Sequence, residues 1–107
     1  MLISIILPCF NEEDNLDALY CRLNSVMEIV GEQYEMIFID DGSTDNTLMK
    51  LTYFCKTDPR CKAIEFSRNF GLQQAICAGL DYAQGDAVLM MDTDLQHPPE
   101  LIPALIE

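Results

Sequence analysis

The chain has 107 residues, of which 50% are hydrophobic, and a formal net charge of −12 from 18 acidic and 6 basic side chains. This length and composition are typical of one globular domain and exclude a disordered or low-complexity chain. The negative charge would repel nucleic acid and anionic lipid surfaces, so we expect no nucleic-acid partner.

The first half of the chain predicts two strands, each followed by a helix. Leu2–Leu7 is a continuous apolar run, typical of a strand that is covered on both faces. After it, Asn11 or Asp14 is expected to cap a helix that ends at Gly31. Glu35–Asp40 predicts the second strand, and the polar residues after it predict a turn and the cap of a second helix.

The second half of the chain repeats this pattern. Cys61–Phe66 predicts the third strand and Asp86–Met91 the fourth, and Pro98–Pro99 can open a further helix. The helix predicted between the two strands has an apolar stripe that should face the sheet: Leu72, Ala75, Ile76, Gly79, Leu80 and Ala83. The order βαβαβαβ predicts an α/β protein with a parallel, doubly wound, Rossmann-like sheet, in which residues 1–107 form a single domain.

The cysteines and the apolar segments bear on the compartment. The five cysteines are scattered and form no C-x-x-C pair, which favours reduced thiols in a cytoplasmic protein. Met1–Phe10 lacks the basic start of a signal peptide, so we interpret it as the first strand. No segment reaches the roughly 18 to 20 apolar residues that span a bilayer. We therefore predict a cytoplasmic chain.

Polar residues follow each predicted strand at the point where the strand ends. In open parallel sheets, ligands bind beyond the carboxyl ends of the strands, so we expect these residues to share one edge. The residues are Asn11, Glu12, Asp40, Asp41, Arg68, Asp92 and Asp94. So many charged side chains on one edge favour a binding site over a merely solvated surface.

Asp92 and Asp94 form a D-x-D pair directly after the fourth predicted strand. Two carboxylates this close repel each other unless a cation lies between them, and oxygen ligands suit Mg²⁺ or Mn²⁺. The chain has neither G-x-G-x-x-G nor G-x-x-x-x-G-K-[ST], the usual glycine-rich phosphate-binding sequences. The sequence therefore predicts a divalent cation as the counter-charge for a bound diphosphate.

Four segments together resemble family 2 glycosyltransferases with a GT-A fold. They are PCFNEE, IDDGSTDNT, SRNFG and MDTDLQHPPE, in this order and at this spacing. The subgroup most resembled transfers a sugar from a nucleotide sugar to a polyprenyl phosphate, as dolichol-phosphate mannosyltransferase and bacterial undecaprenyl-phosphate (bactoprenol) glucosyltransferase do. The resemblance covers nearly the whole chain and implies the N-terminal, nucleotide-binding half of the GT-A fold.

The resemblance also implies roles for single residues. The nucleotide pocket would be lined, after the first strand, by Pro8, Phe10, Asn11 and Glu12. Ile39 and Asp41 would lie beside the base and ribose, and Arg68 would steady the pyrophosphate or the pocket wall. Asp92 would contact both metal and diphosphate, and the metal ligands would be Asp92, Asp94 and Gln96.

The reaction that the resemblance implies is an inverting, metal-dependent transfer of the sugar from a UDP- or GDP-sugar. A phosphate monoester has a second pKa of about 6 and is already anionic at neutral pH, so a polyprenyl-phosphate acceptor demands little of a general base. Family enzymes continue with an acceptor-binding half, which this chain lacks. We therefore expect a truncated domain whose general base is not in the chain, and whose full-length form works at the cytoplasmic face of a membrane.

Other interpretations remain open. The chain can be a catalytically incomplete nucleoside-diphosphate-binding fragment or an interaction module, and its exposed sheet edges predict self-association. Asp40 and Asp45 can simply make turns or cap helices, and His97 can be structural. A phospho-acceptor receiver domain also has acidic residues at strand ends, but it should have an acceptor aspartate after the third strand, where this chain has SRNFG.

Overall fold

The computed structural model describes residues 1–91 of the chain. The strands are β1 (Leu2–Cys9), β2 (Gln33–Asp40), β3 (Cys61–Glu65) and β4 (Ala87–Met90). The helices are α1 (Glu13–Val30), α2 (Thr47–Thr57) and α3 (Leu72–Tyr82). The predicted order βαβαβαβ is confirmed, and the predicted helix at Pro98–Pro99 lies outside the described residues. Within residues 1–91, no helix has the length and apolar character to cross a membrane.

The four strands form one parallel sheet in the order β3-β2-β1-β4. β1 and β2 pair along their whole length, from Leu2 opposite Gln33 to Cys9 opposite Asp40. β1 therefore lies between β2 and β4, whereas a receiver-type sheet has its third strand beside its first. The doubly wound α/β fold is confirmed, and the strand order argues against the receiver interpretation.

Helices cover both faces of the sheet. α1 and α2 pack on one face and form the larger core cluster, whose fully buried members include Ile5, Leu7, Leu19, Met36 and Phe38. α3 covers the other face, where the smaller cluster lies: Ile6, Ile37, Ile39 and Ala75. Successive residues of β1 and β2 thus enter opposite clusters, which explains why both strands are continuous apolar runs.

The apolar stripe predicted for α3 is partly wrong. Ala75 and Gly79 are buried against the sheet, but Leu72 and Leu80 are 55% and 49% exposed. A Cβ atom at Gly79 would lie 2.6 Å from Cγ2 of Ile6, so α3 approaches the sheet very closely. At that distance only small side chains fit between helix and sheet, and the leucines lie to the sides.

The predicted cap of α1 is also wrong, whereas its predicted end is confirmed. The N-cap residue is Glu12, which makes no side-chain capping bond; Asn11 lies before the cap and Asp14 in the first turn. At the other end, Gly31 adopts a left-handed conformation with φ of 78°, and its N–H donates to the Met27 carbonyl oxygen. Glycine is favoured there because it has no Cβ to clash in that conformation.

The close contact of α3 predicts the effect of Gly79→Ala. Alanine usually stabilises a helix relative to glycine by up to about 1 kcal/mol, but overpacking costs about 1–3 kcal/mol. Because Ile6 is β-branched and stiff, we expect a net loss of stability, measured by urea unfolding. Gln74→Ala on the exposed face of α3 is the control and should change stability by less than about 0.5 kcal/mol. Equal stabilities for both variants would contradict the close packing.

Candidate functional site

Three loops meet at the carboxyl edge of the sheet. We call them the first (residues 10–12), second (41–46) and third (66–71) edge loops, after β1, β2 and β3. Pro8 and Ile39 are direct partners in the sheet, so the first two loops leave neighbouring strands side by side. The expected shared edge is therefore present for the polar residues that follow β1, β2 and β3.

The residues predicted to bind metal come after β4. The N–H of Met91, the last described residue, donates to the Ile6 carbonyl oxygen at 3.0 Å, so Met91 still lies beside β1. Asp92, Asp94 and Gln96 lie outside the described residues, as does His97. Within residues 1–91, no group of three His, Cys, Asp or Glu side chains is arranged to hold a metal ion.

The first and second edge loops are joined by hydrogen bonds through Asn11. Its N–H donates to Ser43 Oγ at 2.9 Å, and its Oδ1 accepts from the Thr44 N–H at 2.8 Å. Asn11 has a positive φ of 52°, a conformation that asparagine tolerates better than most residues. Next to it, the Glu12 N–H donates to Thr47 Oγ1 at 3.0 Å. The two loops therefore form one unit.

Asp40 and Asp45 stabilise the second edge loop. Asp40 Oδ1 accepts from the Ser43 N–H, and Asp45 Oδ1 accepts from the N–H and the hydroxyl of Thr47 at 2.9 and 2.5 Å. Burial would raise the pKa of Asp45, but the hydrogen bonds from Thr47 and from the Glu13 N–H outweigh it and lower that pKa. The interpretation of both aspartates as turn-forming residues is confirmed.

The second and third edge loops are joined by Asp41, which is only 6% exposed. One carboxylate oxygen accepts from the Phe70 N–H at 2.8 Å and the other from the Gly71 N–H at 3.1 Å. Gly42 has a φ of 75°, and a Cβ atom there would overlap the backbone of Arg68. The two loops are thus in direct backbone contact, which requires glycine at position 42.

The exposed side chains at this edge include two phenylalanines and one arginine. Phe10 and Phe70 are 44% and 45% exposed, and the Arg68 guanidinium lies 4.8 Å from the centre of the Phe70 ring. Phe66 supports this ring edge-on, with 5.5 Å between the centroids. Arg68 is the one basic residue of the three edge loops, whose acidic residues are Glu12, Asp41 and Asp45; Asp40 ends β2 just before the second loop. Arg68 is therefore the one cationic side chain that these loops offer to an anionic ligand.

The other predicted pocket residues differ in accessibility. The Ile39 side chain is fully buried in the smaller core cluster and supports the edge from below. Pro8, its partner on β1, is half-buried. Glu12 accepts a hydrogen bond from Asn15 Nδ2 at 2.8 Å through Oε2. A ligand at this edge would thus meet the side chains of Phe10, Asn11 and Arg68 most readily.

Three residues of this edge were not singled out from the sequence: Gly42, Ser43 and Thr47. Each of them contacts the backbone of another loop. Gly42 lies against Arg68, 26 positions away, and the hydroxyls of Ser43 and Thr47 accept N–H groups that are 32 and 35 positions away. The signal in the sequence was a glycine directly after two aspartates, followed by hydroxyl residues. Such a segment is equally typical of an ordinary turn.

A family model described as glycosyl transferase family 2 matches residues 4–107. Among curated relatives, the uncharacterized glycosyltransferase YkcC of Bacillus subtilis (strain 168) is 51% identical over 104 residues, covering 97% of this chain and 32% of the relative. The bactoprenol glucosyl transferase of Shigella phage SfV is 43% identical over 107 residues, covering 100% of this chain and 35% of the relative. The chain thus spans about a third of the length of these relatives.

Solved structures show the same fold. S. aureus TarS (residues 1–349) superposes with a TM-score of 0.77 at 27% identity, over 99% of this chain and 32% of that one. TarS in complex with UDP-GlcNAc superposes with a TM-score of 0.71 at 27% identity, over 88% of this chain and 27% of that one. A Pyrobaculum calidifontis mannosyltransferase in complex with GDP-Man and Mn²⁺ superposes with a TM-score of 0.64 at 24% identity, over 86% of this chain and 27% of that one. At this identity the likeness is one of fold alone.

The parallel sheet with its covering helices is that of the GT-A glycosyltransferases. This chain belongs to glycosyl transferase family 2.

The backbone contact at Gly42 predicts a severe effect of Gly42→Ala. Both Gly42 and Gly31 have a positive φ, which costs other residues about 1–2 kcal/mol. A Cβ atom at Gly31 has nothing within 4 Å, so Gly31→Ala is the matched control for backbone strain alone. We expect Gly42→Ala to lose about 1–3 kcal/mol more than the control in urea unfolding, because overpacking is added.

The same pair of variants tests the joint between the loops. Hydrogen exchange at the amides of Phe70 and Gly71, which donate to Asp41, should accelerate in Gly42→Ala and stay unchanged in Gly31→Ala. Equal protection of these two amides in both variants would show that the third edge loop does not depend on position 42.

Proposed function

We propose that this chain, a single truncated domain of residues 1–107, is the donor-binding half of a metal-dependent, inverting glycosyltransferase. It would bind a UDP- or GDP-sugar, and the complete protein would transfer the sugar to a polyprenyl phosphate. The observation that carries the proposal is the joining of three motif-bearing loops at the carboxyl edge of the sheet. This edge is where open α/β sheets bind ligands.

The geometry of this edge supports a nucleotide beside β1 and β2. Phe10 offers an exposed ring for the base, next to Pro8 and the joined loops. Asp41 uses each of its oxygens for one backbone N–H, so each oxygen keeps a second lone pair for a ribose hydroxyl or a ring N–H. Arg68 would then lie on the pocket wall, on the side of β3.

Charge supports the requirement for a cation. The edge loops are acidic apart from Arg68, and no glycine-rich phosphate-binding sequence is present. Asp92, Asp94 and Gln96 are oxygen donors of the kind that Mg²⁺ and Mn²⁺ prefer, and we propose them as the metal ligands. When bound, such an ion would stabilise the negative charge that gathers on the departing nucleoside diphosphate.

We propose that sugar transfer uses further groups of the complete protein. In the proposed reaction, an acceptor phosphate oxygen forms a bond to the anomeric carbon from the face opposite the diphosphate, while the bond to the diphosphate oxygen breaks, so the configuration inverts. We assign no general base, because an anionic phosphate needs little proton removal. The relative named bactoprenol glucosyl transferase supports a polyprenyl-phosphate acceptor, and we further propose that the complete protein works at the cytoplasmic face of a membrane.

A second candidate is a nucleoside-diphosphate-binding module without turnover. It is favoured by the extent of the match, since the chain covers only 32% to 35% of the curated relatives described above. Self-association is a separate proposal for either candidate, because β3 and β4 each pair with one strand among the described residues. Light scattering that finds only monomers would remove self-association.

Calorimetric titration with UDP and GDP tests donor binding by the chain. In the presence of Mn²⁺ we expect one of the two nucleotides to bind, and EDTA to abolish the binding. The double variant Asp92→Asn, Asp94→Asn removes the proposed metal ligands and should weaken binding by about tenfold or more, which is about 1.4 kcal/mol.

The control for this titration is Glu28→Gln, Asp81→Asn, which removes the same two charges from exposed positions of α1 and α3. It should bind like the unmodified chain. Binding that survives EDTA and both double variants would contradict the metal dependence. If neither nucleotide binds under any condition, this chain does not form the donor site.

A transfer assay separates the two candidate functions. The complete protein that contains this segment should convert undecaprenyl phosphate and a UDP- or GDP-sugar into a lipid-linked sugar phosphate. The anomeric configuration of the product, measured by NMR, should be opposite to that of the donor. Nucleotide binding without any product would instead support the non-catalytic module.

A further inference from the structure

A buried polar pair lies on β1 and β2 toward the amino end of the sheet, away from the edge loops. Ser4 and Glu35 are direct partners in the β1–β2 pairing, and their exposed fractions are 0% and 5%. Ser4 Oγ donates to Glu35 Oε2 at 2.5 Å. A carboxylate is costly to bury, so its partners indicate what it does there.

Glu35 and Ser4 bind the turn that leads into β4. The same Glu35 Oε2 accepts from the Gln84 N–H at 2.8 Å, and Ser4 Oγ accepts from the Gly85 N–H at 2.8 Å. The pair therefore holds two consecutive backbone amides of the segment between α3 and β4. Both amides belong to residues about fifty positions or more from their partners, so the contact is purely tertiary.

The other Glu35 oxygen balances the buried charge. Lys62 Nζ on β3 donates to Oε1 at 2.7 Å. Burial alone would raise the pKa of Glu35, but the hydrogen bonds from Lys62, Ser4 and the Gln84 N–H outweigh it and lower that pKa. Glu35 is therefore a carboxylate whose hydrogen bonds reach β1, β3 and the turn before β4.

The turn itself fits tightly against β1. A Cβ atom at Gly85 would lie 2.5 Å from Ser4 Oγ and 2.8 Å from the Leu2 carbonyl oxygen. The Asp86 N–H donates to that carbonyl oxygen at 2.7 Å, and its Oδ2 accepts from the Leu2 N–H at 2.9 Å. Position 85 therefore requires glycine, and the start of β4 is fixed to the start of β1.

β4 itself is short and lies at one edge of the described sheet. It is four residues long and pairs with β1 alone among the described strands. Val88 and Met90 on one of its faces are 40% and 56% exposed, while Ala87 and Leu89 on the other are only half-buried. Met91, next on the covered face, is 4% exposed, so burial supports the observed register, and a slip of one residue would turn every side chain to the opposite face.

We propose that Glu35 and Ser4 are positioning residues that, together with the contacts between Asp86 and Leu2, set the register of β4 and thereby support the cation binding proposed for Asp92 and Asp94. The first part stands on the contacts of residues 84–86; the second rests on the proposed function. Glu35 would thus act on the donor site from the opposite end of the sheet, by fixing the strand that leads to it.

Three variants test the proposal, two in the pair and one matched control. Glu35→Gln keeps the shape of the side chain but removes its charge, and Ser4→Ala removes the hydroxyl. Asp58→Asn is the control, because Asp58 is also 5% exposed and is paired with Arg60 at 3.0 Å and with Tyr20 at 2.7 Å. Asp58 makes none of the hydrogen bonds to residues 84–91 described above.

The first measurement is hydrogen exchange of the chain in the absence of ligand. The informative amides are those of Asp86 and Met91, which donate to β1 and do not contact Glu35 or Ser4 directly. The measured quantity is the exchange rate of each amide divided by that of the Phe38 amide, which lies in a central strand and reports general unfolding. In Glu35→Gln and Ser4→Ala we expect this ratio to rise about tenfold for both amides. In Asp58→Asn the ratio should stay as in the unmodified chain even if its melting temperature falls.

The second measurement is the Mn²⁺ concentration that half-saturates nucleoside-diphosphate binding. It should rise about tenfold in Glu35→Gln and Ser4→Ala and stay unchanged in Asp58→Asn. If the exchange ratios in all three variants match, the register proposal is wrong. If they differ as expected but the Mn²⁺ requirement does not, the link to the acidic pair is wrong. If the unmodified chain binds no nucleotide, the proposed function and that link fail, while the exchange result still decides the register proposal.

Discussion

The structure depends on the parallel pairing of β1 with β2, two strands buried on both faces. This pairing has consequences at both ends. At the carboxyl end it sets Cys9 beside Asp40, so that the loops after the two strands meet and exchange hydrogen bonds. At the amino end it sets Ser4 beside Glu35, where the two side chains bind the turn before β4. One register therefore organises both the candidate site and the strand that leads to the predicted metal ligands.

Many of the acidic groups serve the backbone rather than a ligand. Asp41, Asp45 and Glu35 each accept N–H groups from segments distant in sequence. A carboxylate suits this task because it accepts several hydrogen bonds at once and its charge strengthens each of them. The net charge of −12 is thus partly a consequence of how the loops are held, and it overstates the negative charge that is free to meet a ligand. At the third edge loop the charged side chain is instead the cation Arg68, whose guanidinium lies over the Phe70 ring.

The sequence allowed accurate prediction wherever a single segment carried the whole signal. Continuous apolar runs predicted β1 and β2, and Gly31 predicted the end of α1, because local backbone and burial requirements decide both. The prediction failed for Asn11, whose side chain binds Thr44 of the next loop instead of capping α1. It failed for the stripe of α3 because helical periodicity counts apolar residues but contains no information on how closely a helix approaches the sheet.

By itself, the sequence determined the α/β class, the order of elements and the family, because these follow from local patterns and from four motifs at fixed spacing. Only the tertiary structure decided which acidic residues hold loops, why Gly42 and Gly85 must be glycine, and how Glu35 reaches the start of β4. These features depend on side chains and backbone atoms that are about 30 to 80 positions apart in the chain and become neighbours only when the sheet forms. Spacing along a sequence contains no measure of such distances, so the physical role of each residue is settled by packing.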